Sequence, residues 1–322
     1  MLYYLLLIPA VLSTAWIYFL SPALSYWWLL PILIACFVAA NLVYVLLMFV
    51  CTWFAGPNKM YTHISPFYHA LTMALDGWIL ALCRVKIHVT GLEKVPTDTE
   101  YLFVSNHRSN FDPMVQWWVL RRWRLAFVSK PSNMRKFVIG PFVRRCCFLP
   151  IDRENARNAL TTINAAADLI RAHECSFAIY PEGTRSKSGK LLPWHAGSLK
   201  IAQKANVPIV VATIEGTERI AHNVPWRRTH VYLSIREVIP AETVKATKSN
   251  ALTEQNDRRA GQIIPGSQAR SSSAHLRARI FLPTFEKRTP FRHAPVSRAA
   301  THGGQTHGKA RKAPGAIAPG AL

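Results

Sequence analysis

A histidine and an aspartate five residues apart, His107 and Asp112, lie in the run Ser105-Asn106-His107-Arg108-Ser109-Asn110-Phe111-Asp112-Pro113. A carboxylate that accepts the imidazole Nδ1–H leaves Nε2 free to take a proton from a hydroxyl, so this pair has the makings of a general base and its orienting acid. Asp112 also has a purely structural reading. Asp followed by Pro opens helices, the carboxylate capping the first amides and proline filling a position whose N–H has no partner. Some seventy residues later comes Pro181-Glu182-Gly183-Thr184-Arg185-Ser186. There a glycine permits close backbone approach, and Arg185 offers a planar fork suited to a phosphate. Between the two lie Lys130, Gly140 and Arg153. Arg153 reads equally as a surface arginine paired with Asp152 or Glu154, a kind of contact that contributes little. A covalent mechanism has less support, because the sequence contains no G-x-S-x-G and Cys146-Cys147 have no histidine close by.

These residues need a scaffold that delivers them from loops. Short runs rich in β-branched and aromatic residues predict strands at Val85–Val89, Tyr101–Ser105, Leu125–Ser129, Cys147–Ile151, Phe177–Tyr180, Ile209–Ala212 and Val231–Ile235. Helical patterns at Pro113–Arg122, Asn155–His173 and Gly197–Ala205 fall between them. Such alternation predicts an α/β domain over 85–245, a mostly parallel sheet flanked by helices. Ligands of such sheets bind at the carboxyl ends of the strands, where His107 and Glu182 fall.

The order N-H-x-x-x-x-D, I-D-R (Ile151–Arg153), P-E-G-T-R-S and V-P-I-V (Val207–Val210) resembles that of the glycerolipid acyltransferases, in particular the PlsC-like 1-acylglycerol-3-phosphate acyltransferases of bacterial membranes. The resemblance runs from about Val85 to Pro240. It implies that His107 is the general base, Asp112 its orienting acid, and Glu182, Gly183, Thr184 and Arg185 the acceptor-binding loop. Lys130 and Arg153 are implied as further substrate-binding residues through the spacing Lys130–Gly140–Arg153. It further implies transfer of an acyl group from acyl-CoA or acyl-ACP to a lysophospholipid, with no other cofactor and no metal. The related acceptors are glycerol 3-phosphate and lysophosphatidylglycerol. Two positions depart from the family pattern: Val211 stands where a second proline is usual, and Trp194-His195 where Phe-Lys is common. The oxyanion donor is not identified; Lys130 and the amides around it are candidates.

Charge is distributed in three blocks. The 322 residues carry a formal charge of +22, yet 50% are hydrophobic. That excludes a disordered polyelectrolyte and an ordinary near-neutral enzyme. Residues 1–58 contain no charged residue and no histidine. Their two apolar runs, Met1–Leu20 and Tyr26–Ala55, are long enough for two transmembrane helices joined at Ser21-Pro22. The first basic residues after them, Lys59, Arg84 and Lys86, predict a cytoplasmic catalytic domain on the inner membrane. Six cysteines without C-x-x-C spacing suit a reducing compartment. Residues 59–84 predict a helix lying on the bilayer or docked on the spans, with Asp76 inside it. Residues 59–245 hold 26 basic and 14 acidic residues. Arg121, Arg122, Arg124, Arg144 and Arg145 read either as a face for anionic membrane lipids or as a solvated surface. Nucleic acid is not expected, for want of any recognisable motif. Residues 246–322, with 13 basic and 3 acidic residues rich in Gly, Pro and Ser, predict a disordered tail that abruptly replaces a helix near Glu254, as a shifted reading frame would produce. A membrane-tethered basic lipid-binding protein is the non-enzymatic alternative; an intact His107, Asp112 and 182–185 set counts against it.

Overall fold

A computed structural model describes residues 2–21, 23–56, 59–186, 191–195 and 197–247. The expected disordered tail lies outside the described residues.

The uncharged N-terminus forms two apolar helices, α1 (Leu2–Leu20) and α2 (Leu29–Phe54), the second preceded by a single 3-10 turn at Tyr26–Trp28. The two expected spans are unequal. Tyr26–Phe54, 29 residues, is long and apolar enough to cross a membrane, whereas the apolar stretch Leu6–Leu20 of α1 is shorter. The third helix, α3 (Pro66–Leu82), starts where Ser65 caps the Tyr68 amide and Pro66 takes the first turn. Of its two expected positions it adopts the docked one. The Tyr44 hydroxyl donates to the Leu71 carbonyl at 3.0 Å and the Tyr68 hydroxyl to the Cys51 carbonyl at 2.8 Å. Both bonds join α2 to α3 across a cluster of Met48, Cys51, Ala55 and Phe142.

The alternating part folds as expected into a seven-stranded sheet in the order β1-β7-β6-β2-β5-β3-β4. The strands are β1 (Val85–Thr90), β2 (Leu102–Ser105), β3 (Leu125–Ser129), β4 (Leu149–Pro150), β5 (Ser176–Ile179), β6 (Ile209–Glu215) and β7 (Thr229–Ile239). Every pairing is parallel except β6 with β7. Central β2 and β5 are buried along their whole length, and so are continuously apolar or small. β7 alternates buried and exposed residues, as one solvated face requires. The helices after α3 are α4 (Asp112–Val119), α5 (Pro131–Met134), α6 (Ile139–Arg145), α7 (Ala156–Arg171), α8 (Lys200–Ala205), α9 (Ile220–Asn223) and α10 (Ala241–Ala246). The predicted strand Cys147–Ile151 contracts to Leu149–Pro150, because Cys147 adopts φ +60° at the turn out of α6.

The expected lipid-facing arginines divide. Arg122 and Arg124 are exposed, but Arg144 and Arg145 grip the end of α2. Arg145 donates to the Phe54 carbonyl at 2.9 Å, and its guanidinium lies 4.1 Å from the Tyr61 ring centre and 5.0 Å from that of Tyr68. Arg144 donates to the carbonyls of Met134 and Gly56. The carbonyls at the end of a helix have no intrahelical donor and carry partial negative charge, which guanidinium groups satisfy. These two residues therefore fasten the α/β domain to the long apolar helix and are not a headgroup face.

Candidate active site

Three neighbouring parallel strands, β5, β2 and β6, end on one side of the sheet. Their register pairs Val104 with Ile179 and Ser105 with Ala212, so the segments that follow them emerge side by side. The His107 loop leaves β2, Tyr180–Ser186 leaves β5, and Gly216-Thr217 leaves β6. Residues 105 positions apart in sequence, Asp112 and Thr217, thereby meet.

Asp112 opens α4 and is fully buried. Its Oδ2 accepts from His107 Nδ1 at 2.8 Å, from the Arg108 amide at 2.5 Å and from the Ser109 amide at 2.8 Å. Its Oδ1 accepts from the Thr217 hydroxyl at 2.5 Å. The helix-capping reading of Asp112 is not realised: α4 has no side-chain cap, and the carboxylate instead binds the imidazole and the amides of the turn before the helix. A buried carboxylate is costly unless its lone pairs are satisfied, and four donors satisfy these. With Nδ1 donating to Asp112, the imidazole proton is fixed there and Nε2 is left as the acceptor.

The ring is held from its face as well. Tyr180 stacks on His107 with ring centres 4.1 Å apart and planes 13° from parallel. The phenol donates to Gln116 Oε1 at 2.8 Å, and Gln116 Nε2 donates to the Ser105 hydroxyl at 2.9 Å. Burial, reinforced by the Asp112 charge, pushes the Tyr180 hydroxyl well above its ordinary range, so it remains a neutral donor. Asn106 fixes the start of the loop: its side chain donates to the Ile214 carbonyl at 3.0 Å and accepts the Ile214 amide at 2.8 Å.

Glu182 lies against the backbone of the histidine loop. One carboxylate oxygen accepts the His107 amide at 2.9 Å and the other the Leu192 amide at 3.1 Å. The Ser186 amide in turn donates to the His107 carbonyl at 2.8 Å. The 182–186 loop therefore clasps His107 by both its backbone groups. Burial pushes the Glu182 carboxyl up, an effect opposed by the two amide donors.

Gly183 turns the chain at φ +68°, and a Cβ there would stand 2.8 Å from His195 Nε2 and 3.8 Å from Arg153 Cδ. Arg153 Cδ thus lies close to the loop at Gly183, and His195 joins it from the segment that departs from the family pattern. Thr184 and Arg185 are exposed at the rim. Lys130 is exposed and precedes α5, on the loop that follows β3. Gly140 has a packing role: a Cβ on it would lie 2.2 Å from the Met134 carbonyl oxygen, which also accepts from Arg144.

Thr217, Tyr180 and Gln116 were not singled out by the sequence, and Asn106 entered only as the first residue of N-H-x-x-x-x-D. The one local signal was Gly216, at φ +90°, where a Cβ would lie 2.3 Å from the His230 carbonyl oxygen. A glycine forced by close backbone approach at a strand end marks a turn that delivers the next residue. Cys146 and Cys147 are buried, and burial pushes the Cys146 thiol up to about 12, which suits packing and not nucleophilic attack.

A family profile described as Acyltransferase matches residues 86–215. The chain is similar to the chloroplastic 1-acyl-sn-glycerol-3-phosphate acyltransferase BAT2 of Brassica napus, 33% identical over 42% of this chain and 39% of that protein. It is 25% identical to the 1-acyl-sn-glycerol-3-phosphate acyltransferase of Limnanthes douglasii over 52% of this chain and 59% of that one. It thus spans about two fifths to three fifths of the length of these relatives. The human alpha form is 24% identical over 59% of this chain and 76% of its own length. Among solved structures, the 1-acyl-sn-glycerophosphate acyltransferase PlsC of Thermotoga maritima is similar with a TM-score of 0.48 and 23% identity, over 63% of this chain and 84% of that chain. The stretch matched by that profile, residues 86–215, holds both His107 and the 182–185 loop.

Proposed function

We propose that the protein transfers a fatty acyl group from a thioester to the free hydroxyl of 1-acylglycerol 3-phosphate, making phosphatidate on the cytoplasmic side of the inner membrane. The observation that carries this reading is the His107–Asp112 pair, an imidazole whose Nδ1 is committed to a four-donor carboxylate. His107 Nε2 takes the hydroxyl proton while that oxygen attacks the thioester carbonyl. Asp112 stabilises the imidazolium that results. The tetrahedral intermediate then expels the thiol of coenzyme A or of acyl carrier protein, and the imidazolium returns its proton to the leaving sulfur. The thioester supplies the driving force, and the reaction as written uses no metal, redox cofactor or covalent enzyme intermediate.

Within this reading Arg185 and Thr184, exposed beside the histidine loop, and Arg153 at Gly183 bind the acceptor phosphate; Lys130 contributes from the next loop. Glu182 acts on the backbone of His107 as a positioning residue, because amides occupy both its oxygens. The names of the relatives support the acceptor, and Lys59, Arg84 and Lys86 beyond the apolar helix support the orientation.

The test is a panel of 1-acylglycerol 3-phosphate, glycerol 3-phosphate and lysophosphatidylglycerol offered with labelled acyl-CoA or acyl-ACP to membranes carrying the protein. Phosphatidate should be the main product. Preference for either other acceptor would overturn the assignment. Arg185→Ala should raise the acceptor KM roughly tenfold or more and leave the thioester KM within about twofold, since a phosphate is bound before and during transfer alike. Equal effects on both substrates would remove Arg185 from the phosphate site.

A further inference from the structure

The loop between α5 and α6 is an unusual surface for the outside of an α/β domain. Phe137 is 65% exposed and Ile139 51%, and Val138 between them points inward onto the α2–α3 cluster. Arg135 and Lys136, just before them, are exposed. Two large apolar side chains aimed outward beside two cations match an interfacial membrane segment better than a solvated turn. What covers them is indicated by their neighbour. Phe137 packs against Phe49 of the long apolar helix, ring centres 5.8 Å apart and planes at 46°. Phe49 is itself 47% exposed on a helix that is apolar on all sides.

Depth follows from helix geometry. Trp53 and Phe54, 85% and 72% exposed, end α2 and suit the aromatic belt at the membrane surface. Phe49 lies five residues before Phe54, about 7.5 Å deeper at roughly 1.5 Å per residue. That falls within the roughly 5–10 Å to which interfacial apolar faces sink.

We infer that Arg135–Ile139 is a second membrane-contacting element, in which Phe137 and Ile139 insert beside α2 while Arg135 and Lys136 take the headgroups of anionic lipids. It succeeds Arg144 and Arg145, which the end of α2 occupies, as the lipid-facing cationic group of this domain. The loop also ties the α/β domain to the apolar helices, because Val138 packs on the cluster that α2 and α3 share.

The experiment uses the full chain in vesicles of equal parts phosphatidylglycerol and phosphatidylcholine. The photoreactive residue p-benzoylphenylalanine replaces Phe137, Ile139 or, as a control, Leu160, which is 44% exposed on α7 and outside the α2–α3 cluster. Irradiation should give lipid adducts at 137 and 139 at least roughly tenfold above those at 160. Arg135→Glu with Lys136→Glu should lower the ratio of phosphatidylglycerol to phosphatidylcholine adducts by about fivefold for each basic residue lost. Lipid adducts at 137 no more frequent than at 160 would overturn the inference. So would adducts to a second copy of the chain, or a headgroup ratio indifferent to the charge reversal.

Discussion

Thr217 offers the sharpest test of how the histidine loop is organised. Its hydroxyl is the only donor to Asp112 Oδ1 among the described hydrogen bonds, and both residues are fully buried. Thr217→Val keeps the shape and removes the donor. Asp112 then retains three bonds on Oδ2, while Oδ1 faces a methyl group with no water to replace the hydroxyl. A hydrogen bond to a charged group contributes about 1.5–3 kcal/mol, and a buried acceptor left unpaired costs a similar amount. If half to all of that loss falls on the orientation of His107 and the stability of its imidazolium, kcat should drop roughly three- to a hundredfold, at about 1.4 kcal/mol per tenfold. The acceptor KM should change less than about threefold, because Thr217 touches no part of the proposed phosphate site. Thr217→Ser restores the hydroxyl and should recover most of the activity. Initial rates against acceptor concentration, on variants with equal amounts of protein in the membrane, give both numbers. A valine variant within about twofold of wild type would refute the reasoning, as would a serine variant as impaired as the valine one.

Two other perturbations follow from the geometry. Gly183→Ala places a Cβ 2.8 Å from His195 Nε2 on a backbone at φ +68°; it should lower kcat/KM at least roughly tenfold without unfolding the chain, and His195→Ala in the same chain should recover part of the loss by removing the obstructing ring. Asp76 is buried in α3 with Oδ2 unpartnered, and burial raises its carboxyl from 3.8 to about 8. The folded protein therefore holds a proton there that the unfolded chain releases, so its contribution to stability falls by about 1.4 kcal/mol per pH unit as pH rises from about 4 to 8. Asp76→Asn should flatten the decline of thermal stability between about pH 6 and 8; parallel curves for the two proteins would contradict a buried protonated Asp76.

Much of the scaffold was legible because its signals are local. Leu102–Ser105 and Ser176–Ile179 are apolar runs of strand length, and Asn155 caps α7 where the sequence expected a helix to begin. The approach of His107 to Asp112 was likewise legible, as both lie within one turn-and-helix start. The rest depended on strand order. Thr217 reaches Asp112 only because β6 lies beside β2, a neighbour relation that no spacing along the chain reveals. Glu182 belongs to a loop whose residue types suggest ligand contact, and only the register of β5 against β2 directs it at the His107 amide instead. α6 was not among the helices the sequence predicted. Pro141 stands in the first turn, where its missing N–H costs nothing, and Gly140 is required by the Met134 carbonyl. Arg144 and Arg145 look like any surface cations until the end of α2 is seen beneath them.

The most direct measurement of the central claim is acyl transfer by His107→Ala and Asp112→Asn in membranes holding the same amount of protein as wild type. The base and its partner act as a unit, so each variant should lose at least roughly a thousandfold in phosphatidate formation, and the double variant little more than the worse single one. Wild-type-like transfer by His107→Ala would show that another group takes the hydroxyl proton.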